Sequence, residues 1–196
     1  MKVSTSVILG LVALLSPASG APAATDPSSV TNVLTITGSI VPGGPELNLT
    51  GTLEELIPKI KEVYPNWDPL ANPDTEKRSI EARYFQGSPT CWQAGDWDAA
   101  WKQLLAYNVP YLQNLGNAAC GHSAVQECTR VSCSWGNAIY LCGKKSVGVP
   151  CKRIGDAAKT IAEKCYWSEP LDINRWTRGY WADTTGYYVK VAGDRC

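Results

Sequence analysis

The first 90 residues contain no cysteine, and the whole chain of 196 has a single histidine, His122, and a single phenylalanine. No Gly-x-Ser-x-Gly turn occurs, and Cys120 beside His122 belongs to a cysteine-dense block, so neither a serine nor a cysteine hydrolase triad is indicated. Cys-x-x-Cys spacing is missing as well. With one histidine to complete a ligand set, no metal site is expected, and nothing calls for a cofactor. Long apolar runs are also absent: the longest, Val7 to Leu15, falls well short of the ~20 residues needed to cross a bilayer.

That run follows Met1-Lys2 and precedes Ala18-Ser19-Gly20, the charged, apolar and small-residue order of a signal peptide. Cleavage near Gly20 and a secreted, extracellular product are expected. All eight cysteines (Cys91, Cys120, Cys128, Cys133, Cys142, Cys151, Cys165 and Cys196) lie in the last 106 residues. An even number in an oxidising compartment reads as four disulfides stapling one small domain.

Charge changes along the chain. Residues 22–78 carry four Lys/Arg against eight Asp/Glu, and residues 79–196 carry thirteen against ten. A net of about +3 is too small to announce a nucleic-acid partner, and none is expected. The shift falls at Asn72-Pro-Asp-Thr-Glu-Lys77-Arg78-Ser79, a polar, proline-bearing run ending in a dibasic pair of the kind that a kexin-type protease cuts. Three segments follow: a signal peptide over 1–20, a pro-region over 21–78 removed at Lys77-Arg78, and a mature cysteine-rich domain over 79–196.

Within the pro-region, alternation over Thr31–Val41 suggests a strand, and Leu53, Leu56, Ile60 and Val63 recur at helical spacing. Asn48-Leu49-Thr50 is a glycosylation sequon. In the mature segment a strand is expected at 82–85. A helix should run over 97–107, capped by Asp96, lined by Trp97, Trp101, Leu104 and Leu105, and stopped by Pro110.

Two strands should flank a tight turn at Trp135-Gly136. Thr129, Val131, Cys133, Ile139 and Leu141 would then face one way, and Cys128, Arg130, Tyr140 and Cys142 the other. A helix over 153–165, with Ile154, Ala158, Ile161 and Cys165 on one face, and a last strand over 186–192 complete the pattern. Cys128 should then face Cys142, and Cys133 should meet Cys165. The expected fold class is α+β, a small disulfide-stapled split β-α-β arrangement of two helices on an antiparallel sheet.

The residues Cys128-Thr-Arg-Val-Ser-Cys-Ser-Trp-Gly-Asn-Ala-Ile-Tyr-Leu-Cys142, the helix ending in Cys165 and the aromatic strand ending in Asp194-Arg195-Cys196 resemble fungal small secreted cysteine-rich proteins. That group is broadly similar to Ecp-type effectors and virally encoded killer toxins. The resemblance covers about residues 91–196 and implies an extracellular virulence effector, or a toxin against competing microbes, with a kexin-cleaved leader. The cysteine spacing and the eight tryptophans depart from the true killer toxins, so channel activity does not carry over.

No catalytic constellation stands out. His122, Glu127 and Arg130 offer ribonuclease-type chemistry, but nothing in their spacing demands it. Asp96 with Asp98, or Asp172 with Asp183, offer a glycosidase pair, yet they read better as a helix cap and as loop residues. A basic cluster of Lys144, Lys145, Lys152 and Arg153 reads as a solvated face.

More distinctive is Tyr166 to Tyr188, seven aromatics in 23 residues beside two arginines. Trp167, Arg175, Trp176, Arg178, Tyr180 and Trp181 are the candidate binding residues, because rings and guanidinium groups stack on sugars or on a protein partner. The expected function is binding of a host or competitor protein or a cell-wall glycan. The alternatives are a small secreted hydrolase and a structural or glycan-binding component of the cell wall.

Overall fold

The computed structural model describes residues 34–71, 85–92, 98–122, 128–143, 148–168 and 175–196. The expected signal peptide, Lys77, Arg78, Asp96, Trp97, Glu127, Lys144, Lys145 and Asp172 lie outside them.

Alternation shapes the first strand, β1 (Leu34–Gly38): Leu34 and Ile36 are buried, while Thr37 is exposed. It pairs antiparallel with β2 (Leu47–Thr50) and, across a long sequence interval, with β5 (Ala119–His122). Next comes α1 (Leu53–Val63), where the Thr52 amide donates to the Glu55 carboxylate at 3.0 Å. That bond lowers the Glu55 pKa and satisfies one of the donors that a helix start leaves free. Leu53, Leu56 and Ile60 enter the same core as Leu104, Leu112, Leu115 and Ile154. Residues 34–71, expected to belong to a pro-region, thus share one core with the cysteine-rich segment.

β3 (Thr90–Cys91) and β4 (Ala99–Ala100) are short. The helix expected over 97–107 starts later and runs past Pro110. It comprises α2 (Trp101–Gln103), one wide π-helical turn (Leu104–Asn108) and α3 (Val109–Gln113). The Val109 amide reaches back five residues to the Leu104 carbonyl. Pro110 then falls in the first turn of α3, where a missing N–H costs little, so it continues the helix rather than stopping it.

The principal sheet has the order β3-β11-β12-β7-β6 and is antiparallel throughout. Its remaining strands are β6 (Cys128–Ser134), β7 (Asn137–Gly143), β11 (Gly179–Ala182) and β12 (Tyr187–Gly193). Trp135 and Gly136 form the two-residue turn between β6 and β7, both with positive φ (55° and 76°), the combination that matches the twist of a hairpin. Val131, Ile139, Leu141, Val189 and Val191 are buried with Ile154, Ala157, Ala158 and Ile161 of α4 (Cys151–Lys164). Gly155 brings α4 against α3, since a Cβ there would lie 2.9 Å from Gln113 and 3.1 Å from Leu112.

β8 (Val149–Pro150) joins β5 to complete the order β2-β1-β5-β8. β9 (Tyr166–Trp167) and β10 (Trp176–Thr177) make a third small sheet with β4. Of the strand expected at 82–85, residues 82–84 lie outside the described residues, and Phe85 forms a bridge to Asp183.

All eight cysteines are bonded: Cys91–Cys165, Cys120–Cys151, Cys128–Cys142 and Cys133–Cys196. The expected Cys133–Cys165 pairing is not formed. The two-residue turn sets Cys133 opposite Ala138, and a bulge between Arg130 and Ser132 restores the register beyond it. Ser132, not Cys133, therefore lies opposite Ile139, and Cys133 sits on the other face, where Cys196 reaches it. Cys165 follows α4 at the β3 edge and bonds Cys91.

The fold is α+β, with antiparallel sheets, few helices and four disulfides. Among the described residues no helix is long and apolar enough to cross a membrane, which with the disulfides is consistent with a secreted or extracellular protein.

Candidate functional site

The strand pairing lays one row of side chains across all five strands of the principal sheet. Arg130 on β6 faces Tyr140 on β7, Tyr140 faces Lys190 on β12, Lys190 faces Tyr180 on β11, and Tyr180 faces Thr90 on β3. Because side chains alternate along a strand, this row points away from the face that α4 covers. Its residues from Arg130 to Tyr180 are half-exposed, whereas Ile139, Leu141, Val189 and Val191 on the opposite face are buried.

Rings and cations interleave along the row. The Lys190 ammonium lies 4.7 Å from the centre of the Tyr140 ring and 5.8 Å from that of Trp92. Trp92 follows β3 and also takes the Arg178 guanidinium over its ring at 5.2 Å. Tyr180 packs 5.5 Å from Trp92 and 5.7 Å, edge on, from Tyr188. Each such contact holds a flat ring in one orientation without covering both of its faces.

Asp194 closes the β6 end. It accepts hydrogen bonds from the Tyr140 hydroxyl at 2.6 Å and from Arg130 Nη1 at 3.0 Å. Partial burial would by itself raise the Asp194 pKa, but these two bonds and one from the Arg195 amide more than offset it and hold the carboxyl below its usual range. The Tyr140 phenol is pushed well above its usual range, first by burial and then by its bond to the carboxylate. Arg130 and Asp194 thus form a neutral pair. Among the described residues no carboxylate forms an ion pair with Arg178 or Lys190.

The candidate binding residues go to three places rather than one. Arg178 and Tyr180 join the row. Arg175 lies against a pair of rings in mutual contact, Trp101 at 5.2 Å and Tyr166 at 5.0 Å, beside Trp167 and Trp176, which face each other across β9 and β10. Trp181 lies on the inner side of β11, stacked on Phe85 at 4.5 Å, with its indole N–H donating to the Gln86 carbonyl. Neighbours in sequence, Tyr180 and Trp181 are separated by the pleat. Trp92, Tyr140 and Lys190 are the members of the row that the sequence reading misses. Tyr140, Tyr188 and Lys190 share one parity, but only the strand register shows that Trp92 and Tyr180 stand beside them.

Of the residues behind the hydrolase alternatives, Asp96, Glu127 and Asp172 lie outside the described residues. Arg130 is held by Asp194, and in the backbone pairing His122 sits opposite Leu34. Asp183 is a turn residue: its Oδ1 accepts from the Thr185 amide and hydroxyl. In the basic cluster, Lys152 pairs with Asp156, and Arg153 lies 3.9 Å from Asp183. Asn48 is exposed on β2, an outer strand of its sheet. A cleft of about 740 Å³ between residues 40–71 and 113–117 is lined by Val41, Tyr64, Trp67 and Asn114. Trp67 and Asn114 spend their polar groups bracing its wall, the indole donating to the Asn114 carbonyl at 2.7 Å.

The chain matches no family model, no curated protein and no solved structure. The functional reading therefore rests on the geometry of the row.

Proposed function

We propose that this is a secreted, non-enzymatic binding protein of the effector or toxin-like kind. It is made as a precursor cut after Lys77-Arg78, and it engages a host or competitor component through the outer face of its principal sheet. The observation that carries this reading is the Arg130–Tyr140–Lys190–Tyr180 row with Trp92 and Arg178 beside it. Half-exposed rings braced by cations supply apolar area at little ordering cost, and the cations Arg178 and Lys190 at the centre favour an acidic surface.

The test is the binding isotherm of labelled protein on intact cells of a candidate host or competitor, for the wild type and for Trp92→Ala and Lys190→Ala. An anchor in such a row contributes about 2 kcal/mol, so each substitution should weaken binding roughly 30-fold with the circular dichroism unchanged. Equal binding by folded variants removes the row from the site. Hydrolysis of RNA or wall glycan by the purified protein would overturn the non-enzymatic reading.

A further inference from the structure

The segment that precedes the dibasic pair is built into the fold. β1 lies between β2 and β5, pairing with β5 from Leu34↔His122 to Thr37↔Ala119. Leu34, Ile36, Leu53, Leu56 and Ile60 are all at most 1% exposed, in one cluster with Leu104, Leu112 and Leu115. Polar groups cross the seam as well. Ser132 and Ser134 both donate to the Glu54 carboxylate, at 2.6 and 3.2 Å. Asn114 Nδ2 donates to the carbonyls of Pro69 and Ala71, at 3.0 and 2.8 Å. Gly116 approaches so closely that a Cβ there would collide with the Ile40 carbonyl oxygen.

Yet no covalent crosslink spans this seam. Every cysteine lies at or after Cys91, and all eight are bonded to one another. Residues 34–71 are joined covalently to the rest of the fold only through residues 72–84, the stretch that contains Lys77-Arg78.

We infer that cleavage after Arg78 does not release the preceding segment: the pro-region stays bound through residues 34–71 as a second, noncovalent chain that completes the core of the cysteine-rich chain. The inference rests on the processing step of the proposed function, in which a kexin-type protease hydrolyses the Arg78–Ser79 peptide bond and water supplies the new carboxylate and amine. Loss of the segment would uncover the β5 edge that β1 now covers. It would also open the shared cluster in which Ile36 and Leu56 are buried together with Leu104, Leu112 and Leu115. Departure therefore requires the core to open, and cutting the link alone does not do that.

The experiment treats the purified, folded full chain with a kexin-type protease, then compares native size exclusion with mass analysis of the same fraction under denaturing conditions. Expected is one native peak at the elution volume of the uncut chain, containing the two fragments in equal amounts. Lys77→Ala/Arg78→Ala should give the same peak with one uncut chain. Two native peaks after cleavage overturn retention and leave the processing step standing. A folded chain that the protease leaves uncut overturns the processing step and the inference with it. Leu56→Ala should lower the urea concentration at which the short fragment leaves the cut complex. Should that variant not fold, Asn114→Ala at the rim of the seam serves the same purpose, and an unchanged release midpoint in a folded variant counts against retention through this interface.

Discussion

Asp194 accepts a hydrogen bond from the hydroxyl of Tyr140 at 2.6 Å, tying the residues after β12 to the centre of β7. The two groups titrate in opposite directions from their usual values, so both ends of the pH scale test the contact. The folded state holds the Asp194 pKa below its unfolded value. Its contribution is therefore present above about pH 4 and lost as pH falls through the depressed value. Asp194→Asn should cost about 1 kcal/mol at pH 7, a figure kept small because Arg130 is over a third exposed. In urea unfolding, the gap between wild type and variant should persist to pH 5 and narrow below pH 4. A gap of constant size down to acid pH would show that the carboxylate charge is not what matters.

At alkaline pH the buried phenols decide the outcome. Burial is the largest cause raising the pKa values of Tyr140, Tyr187 and Tyr111 above the usual tyrosine value. A raised value means that the protonated phenol stabilises the fold up to about pH 10, and that this contribution is lost as pH rises further. Titration of tyrosine ultraviolet absorbance should show a late step, coupled to unfolding, to which Tyr140, Tyr187 and Tyr111 contribute. Tyr140→Phe should remove one part of that late step. A titration with no late step, completed in the folded protein, would contradict this.

Asn114 closes the wall of the cleft with two hydrogen bonds from one carboxamide. Asn114→Ala leaves the Pro69 and Ala71 carbonyls to water and should lower stability by about 1–2 kcal/mol. Asn114→Asp, which keeps the size but loses both donors, should do no better. A loss below a few tenths of a kcal/mol in both variants, measured by chemical unfolding, would show that water replaces the side chain fully.

The disulfides differ in what they restrain. Cys133–Cys196 closes a separation of 63 residues and Cys128–Cys142 one of 14. On loop-closure entropy alone, replacing the first pair by serines should cost about 1 kcal/mol more than replacing the second. Thermal unfolding of the two double variants measures the order. The reverse order would mean that packing around the bridges outweighs chain entropy.

Local features are readable from the residues and long-range ones are not. The helix of Ile154, Ala158 and Ile161 and the turn at Trp135-Gly136 follow from periodicity and turn chemistry within a dozen residues. The Cys128–Cys142 bridge is expected across that turn, and its register depends also on the bulge at Val131. The pairing of Leu34 with His122 spans 88 positions and leaves no local trace. Alternation announces a strand at Leu34, but not its place in the core. Pro110 misleads because a wide turn before it removes the conflict that ends most helices. In the candidate site, aromatic density is visible over 166–188, whereas the row that forms depends on which strand lies beside which.

One extra residue in β6 connects these points. Because Val131 has no partner on β7, Arg130 stands opposite Tyr140, while two residues on, Ser132 stands opposite Ile139. A side-chain substitution at Val131 would alter packing volume and leave this phase intact. Removing the residue would turn the bulge into a regular ladder with the same partners, Arg130 opposite Tyr140 and Cys128 opposite Cys142, at the cost of the buried Val131 side chain. The surface chemistry of the outer face and the alignment of Cys128 with Cys142 are therefore set by the pairs on either side of the bulge, and loss of Val131 is a deletion that both would survive.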